Sequence, residues 1–244
     1  MIPARMGSER FPGKVLAAET GRPLIAHVID RARAASCVAR VVVATDNERV
    51  LAAASDAGAE GVLTSPAHPN GTSRLAEAAE ALTLDPGTIV INVQGDEPEI
   101  EPAVIDAAAD ALLADHGASI GTVASPLAPG QDPADPNIVK AVLAANGRAL
   151  YFTRAHAPHA RDPADAPARP LKHVGVYAYR AAFLAEYARL TQTPLERTER
   201  LEQLRALEHG RVIAVAVMET AHAGIDTPEQ YRAFVDRWRA SQPQ

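Results

Sequence analysis

Two short runs constrain this chain more than anything else in it. Arg40-Val41-Val42-Val43-Ala44-Thr45 and Thr88-Ile89-Val90-Ile91-Asn92-Val93 are β-branched and apolar on both faces. A strand with one wet face alternates polar and apolar residues; a strand covered on both faces does not. Ser119-Ile120-Gly121-Thr122-Val123 reads the same way. Between these runs lie stretches of helical period: 23–35, 48–57, 73–82 and 102–114. Pro23 suits the first turn of the helix whose apolar face is Leu24, Ile25, Val28, Ile29 and Ala32. Covered strands alternating with helices predict βαβ units and therefore an α/β fold with a mostly parallel sheet.

The pattern changes near Pro126. Pro126, Pro129, Pro133 and Pro136 interrupt the chain, and two apolar runs, 139–143 and 148–152, then flank Asn146-Gly147, a hairpin turn dipeptide. Residues 155–170 read as a loop, 172–179 as a strand, 199–208 as a helix closed by Gly210, 212–217 as a strand and 228–239 as a final helix. The expectation is one domain over residues 1–244 carrying a β-rich insertion at about 137–180, which also builds the substrate side.

Composition excludes several classes. The net charge of −6 argues against a general nucleic-acid binder, which needs a broad basic surface. Cys37 stands alone, so no intrachain disulfide forms and nothing indicates an oxidising compartment. No apolar run approaches the ~20 residues needed to span a bilayer, and the N-terminus lacks a secretory h-region. The expected location is the cytoplasm, with no membrane partner.

Two clusters carry chemistry. In Pro3-Ala4-Arg5-Met6-Gly7-Ser8-Glu9-Arg10-Phe11-Pro12-Gly13-Lys14, three cations (Arg5, Arg10, Lys14) are spaced by glycines and a serine. Small residues let backbone N–H groups approach phosphate oxygens, and the cations neutralise them. The glycine spacing matches neither Walker A nor GxGxxG, and a solvated basic loop is the alternative. The second cluster, Gln94-Gly95-Asp96-Glu97-Pro98, follows a covered strand, at the sheet edge where α/β folds bind ligands. Asp96 is placed to hold Mg²⁺ against phosphates. Glu97, Glu99 and Glu101 suit the dipole of the helix that begins at Pro102.

The two clusters resemble the sugar cytidylyltransferases, and further pieces in order narrow the resemblance to the 3-deoxy-manno-octulosonate (Kdo) cytidylyltransferase family. These pieces are Asn70-Gly71-Thr72-Ser73-Arg74, Pro136-Asn137-Ile138-Val139-Lys140, Tyr151-Phe152-Thr153-Arg154-Ala155, His173-Val174-Gly175-Val176-Tyr177, Leu201-Glu202-Gln203-Leu204-Arg205 and Gly224-Ile225-Asp226-Thr227-Pro228-Glu229. The resemblance implies a Rossmann-like nucleotidyltransferase fold, a homodimer, and transfer of CMP from CTP to Kdo for lipopolysaccharide synthesis. It implies that Arg10 and Lys14 hold the triphosphate, with Ala4, Arg5 and Ser8 lining the nucleotide loop and Asn70 and Gly71 against the cytosine. Asp96 and Asp226 are implied magnesium ligands, and Arg10, Lys14 and Asp96 the catalytic set. Arg74, Gln94, Arg154, His173, Tyr177, Glu202 and Gln203 are implied to face the sugar acid, whose carboxylate suits Arg and His and whose hydroxyls suit Gln, Glu and Tyr.

Several positions depart from the family pattern. The first strand is short, Glu9 and Phe11 replace a small residue and Leu, Ser73 stands where Glu is usual, and residues 156–162 lack a Trp. Taken alone, Asp226 also reads as the N-cap of the helix at Thr227-Pro228-Glu229. Rival readings are a cytidylyltransferase for amino-Kdo or a sialic acid, and a nucleotide-binding protein of this fold without turnover.

Overall fold

The structure is a computed structural model that describes residues 1–7, 10–162, 164, 168–221 and 224–242. The chain forms two compact units from interleaved segments. The first comprises Met1–Thr83, Asn92–Ile105 and His222–Gln244, and the second Leu84–Ile91 and Asp106–Ala221.

The first unit is built on a parallel sheet of β1 (Ile2–Ala4), β2 (Val42–Thr45) and β3 (Glu60–Leu63), with β2 in the centre. All four residues of β2 are buried, as its apolar run predicts, whereas β3 is an edge strand with mostly exposed residues and no readable pattern. Helix α1 (Leu24–Arg33) buries Leu24, Ile25, Val28, Ile29 and Ala32; Pro23 precedes it rather than opening its first turn. Helix α2 (Glu48–Asp56) is capped by Asn47, whose side chain accepts the Arg49 amide. Helix α3 (Gly71–Ala81) is capped by Asn70 through the Ser73 amide. It therefore starts two residues before the expected position.

The second unit contains a mixed sheet in the order β7–β6–β8–β5–β9, with β4 (Ile89–Asn92) also paired to β8. Its strands are β5 (Ala118–Pro126), β6 (Lys140–Leu143), β7 (Ala149–Thr153), β8 (Leu171–Arg180) and β9 (Val212–Val217). Only the β5–β9 pair is parallel among β5 to β9; the hairpin β6–β7 and the β6–β8 and β5–β8 pairs are antiparallel. The hairpin turn is the expected Asn146-Gly147, with Gly147 at φ 80°. Helix α4 (Pro102–Ala114) packs so closely on β5 that a Cβ at Gly121 would lie 2.2 Å from the Ala108 carbonyl oxygen. That close approach is why a glycine interrupts an otherwise β-branched strand.

The pattern does not show β3, α5 (Ala181–Tyr187), α6 (Pro194–Glu199) or the short 3-10 turn Lys14–Leu16. The helix expected over 199–208 is instead the end of α6 and a separate α7 (Gln203–Glu208), because Arg200 turns left-handed at φ 53°. The last helix, α8 (Pro228–Ala240), agrees with its expected span. No helix among the described residues is long and apolar enough to cross a membrane.

Candidate active site

In the first unit the basic loop and the two aspartates meet at one ammonium group. Lys14 Nζ lies 2.6 Å from Asp96 Oδ2 and 3.2 Å from Asp226 Oδ1, and it donates to the Ile225 carbonyl at 2.7 Å. Arg10 Nη2 reaches Asp226 Oδ2 at 2.9 Å. The chain builds this from packing inward. Ile225 is buried with Leu24, Tyr231, Phe234 and Val235, and its amide donates to the Asp96 carbonyl at 2.8 Å. That bond sets Asp96 and Asp226 side by side despite their distance in sequence. Phe11 packs against Tyr231 of α8, with ring centroids 5.5 Å apart, so this departure from the family pattern anchors the loop that carries Arg10 and Lys14. Gly95 fits tightly here, since a Cβ would lie 3.0 Å from the Pro3 carbonyl oxygen.

The cap of α8 is Thr227, which forms a capping box with Gln230, so the N-cap reading of Asp226 is corrected: its carboxylate goes to Arg10 and Lys14. Glu99 likewise does more than face a helix dipole, because Arg237 binds it through Nε at 2.9 Å and Nη2 at 2.5 Å. Ala4 is buried at the end of β1 and Arg5 is exposed. Asn70 has its side-chain oxygen on Ser73 N, and a Cβ at Gly71 would touch Pro3 at 3.3 Å. Gln94 is partly buried in the turn before Asp96. Arg74 is buried and engaged inside the unit, donating to Thr64 Oγ1 at 2.6 Å and Asp46 Oδ2 at 2.9 Å. This geometry makes it a clamp between α3 and the loops after β2 and β3, and it gives no support to a sugar-facing role. Ser8 lies outside the described residues.

The second unit gathers the remaining polar residues. His173 stands edge-on to Phe152, with centroids 4.7 Å apart, and next to Tyr177 at 5.3 Å. Burial holds its imidazolium off and brings its pKa down to about 3. Tyr177 donates its hydroxyl to Gln203 Oε1 at 3.2 Å, and Gln203 Nε2 is buried without a partner among the described residues. Arg154 is fixed on two sides, by Nε to the Glu199 carbonyl and Nη1 to the Pro136 carbonyl, both at 2.8 Å. Glu202 is partly buried, and its carbonyl accepts the Tyr187 hydroxyl.

Two residues that organise this cluster escape sequence reasoning. Glu199 accepts from Thr153 Oγ1 and from the Arg154 amide. Lys140 is fully buried and donates to the carbonyls of Asp135, Ile138 and Arg154. A lysine inside an apolar strand was the available sign of the second.

The cytidylyltransferase family model matches residues 1–213. A 3-deoxy-manno-octulosonate cytidylyltransferase of Syntrophobacter fumaroxidans is 50% identical over 236 residues, covering 96% of this chain and 94% of the relative. The chain belongs to the 3-deoxy-manno-octulosonate cytidylyltransferase family. It is therefore a nucleotidyltransferase, with the Rossmann-like fold of that family. A solved structure of CMP:2-keto-3-deoxy-manno-octonic acid synthetase complexed with CTP matches it at TM-score 0.91 and 36% identity, over 99% of this chain and 98% of that one. A cytidylyltransferase from Leptospira borgpetersenii shares the fold at TM-score 0.63 and 16% identity, over 99% of this chain and 86% of that one.

Proposed function

We propose that this chain transfers CMP from CTP to Kdo, releasing pyrophosphate and giving CMP-Kdo, a precursor of lipopolysaccharide. The observation that carries the reading is the meeting of Lys14, Asp96 and Asp226, supported by the family to which the chain belongs. In this reading the first unit holds CTP, with Arg10 and Lys14 on the triphosphate, Arg5, Ser8 and Ala4 along the loop, and Asn70 and Gly71 beside the cytosine. Arg154, His173, Tyr177, Glu202 and Gln203 of the second unit take the sugar acid. The whole chain acts as one nucleotidyltransferase domain, since the family model runs through both units.

The donor set fits Mg²⁺. Among the described residues no third acidic or imidazole ligand joins Asp96 and Asp226, and Mg²⁺ is commonly held by one or two carboxylates with substrate oxygens and waters. Bound there, the ion supplies positive charge at the phosphates. The chain's own part is orientation and charge. Lys14 and Arg10 offset the negative charge that builds on the leaving pyrophosphate, and the fixed guanidinium of Arg154 orients the sugar carboxylate for in-line attack by the anomeric hydroxyl. The assembly we propose is a homodimer, because β7 is the last strand in the sheet order and leaves Leu150 62% exposed. We place the enzyme in the cytoplasm, consistent with a chain that holds one cysteine, Cys37.

The test is pyrophosphate release with four nucleoside triphosphates crossed with Kdo, amino-Kdo and sialic acid. CTP with Kdo is expected to be fastest. UTP lacks the N4 donor and leaves an acceptor unpaired, a loss of ~1–3 kcal/mol, or roughly fivefold to 150-fold in rate. Release with another acid alone moves the substrate, and none with any pair sinks the reading. Asp226→Asn separates metal from fold: the helix keeps its Thr227 cap, so the melting temperature stays near wild type while activity falls sharply and needs more Mg²⁺. Unchanged Mg²⁺ dependence would show that Asp226 is no metal ligand.

A further inference from the structure

The β5–β8 ladder is irregular at one place. Thr122 pairs with Tyr177 and the next residue, Val123, with Val174, so the register shifts by two residues of β8 between them. Bulges of this kind re-aim side chains and carbonyls near functional sites. Here both the Val176 carbonyl and the His173 ring come to the hydroxyl of Thr122, which is wholly buried. Thr122 Oγ1 is 2.6 Å from the Val176 oxygen and 3.0 Å from His173 Nε2.

A hydroxyl has one proton and a carbonyl has none. Two oxygens at 2.6 Å need a proton between them, so the Thr122 proton is committed to Val176. Oγ1 can then only accept from the ring, which requires a hydrogen on Nε2. In a neutral imidazole the other nitrogen, Nδ1, then carries a lone pair. Among the described residues Nδ1 has no hydrogen-bond partner.

We propose that Thr122 is a positioning residue that fixes His173 as its Nε2–H tautomer, so that Nδ1 offers an acceptor to a hydroxyl of the sugar acid rather than a cationic donor to its carboxylate. This rests on the reading that the second unit binds the sugar acid. It assigns the carboxylate to Arg154 and divides the two groups between two residues. The low pKa of His173 agrees, since a neutral ring cannot pair with a carboxylate as a cation. The groups packed on the ring are Phe152 of β7, Tyr177 of β8 and Thr122 of β5; the Tyr177 phenol is the one titratable group among them.

Nitrogen-15 NMR of the free protein tests the tautomer without any substrate, with the His173 signal assigned by its loss in His173→Gln. The expected spectrum at pH 7 has a protonated Nε2 and a bare Nδ1, and it stays so down to pH 5. A proton on Nδ1, or titration of the ring near pH 6.5, overturns the proposal. Thr122→Val should lose the single tautomer and raise KM for the sugar acid about tenfold, with KM for CTP unchanged, as expected for one misdirected hydrogen bond. Thr122→Ser should restore both. A Thr122→Val protein that keeps the pure Nε2–H form, or its wild-type KM, overturns the role of Thr122. If no sugar acid is turned over, the functional reading fails, while the spectrum still decides the tautomer.

Discussion

Lys14→Met is expected to lower kcat/KM for CTP by about 10²–10³, the range for removing one preorganised charge from a transition-state site. The side chain is 9% exposed and supplies the shared cation of Asp96 and Asp226. Without it the cation left on these two carboxylates, among the described residues, is Arg10 at Asp226, which is 62% exposed and screened by solvent. Lys14→Arg should recover little, because a planar fork cannot reproduce one nitrogen placed among Asp96, Asp226 and the Ile225 carbonyl. Single-turnover kinetics at saturating CTP separate a chemical defect from weakened binding. A variant within threefold of wild type would remove Lys14 from the catalytic set.

Arg205→Met should be the most destabilising of the substitutions considered, by about 3–5 kcal/mol, the range for stripping one partner from a buried ion pair. Arg205 binds Glu196 through Nε at 2.7 Å and Nη2 at 2.6 Å, with side chains 9% and 5% exposed, and its guanidinium lies 4.7 Å from the Tyr187 ring centre. The bond to Glu196 raises the Arg205 pKa further, so deprotonation offers no escape. The cost comes from the orphaned Glu196 carboxylate, which also accepts the Thr193 amide at the start of α6. Adding Glu196→Gln should therefore return part of the loss, and a double-mutant cycle on urea midpoints measures how much. Additive single effects, or a loss below 1 kcal/mol for Arg205→Met, would mean that the pair does not hold α6 and α7 together.

Covered strands were the most legible elements, because burial on both faces writes itself into composition: 212–217 was read to the residue, and 40–45 and 88–93 contain β2 and β4. Helix α4 was equally plain. Strand β3 was not, since an edge strand with exposed side chains needs no apolar pattern. The break at Arg200 was hidden because a left-handed non-glycine residue leaves no local mark and is held by its surroundings. At the site, Lys14 and Asp96 stood out as residue types beside glycines. Asp226 did not: by local rules it was equally a helix cap, and only the packing of Ile225 and the claim of Thr227 on that cap decide between them. Thr122 and Glu199 were invisible for a related reason. Their roles depend on which residue lies across a bulged ladder or a neighbouring loop, and a linear pattern carries no register between distant strands.

The interleaving of the two units has a consequence for biosynthesis. Lys14 is made early, but Ile225 and Asp226 follow the whole of the second unit in the chain. At roughly 5–20 residues per second on the ribosome, that segment takes on the order of ten seconds to emerge. For that interval the nascent first unit lacks its third segment, and α1 lacks the apolar cover of Tyr231, Phe234 and Val235 over Leu24. A half-made chain thus lacks the Ile225 and Asp226 partners of Lys14, and a translation product that stops short of Gly224 leaves Leu24 without the apolar residues that bury it.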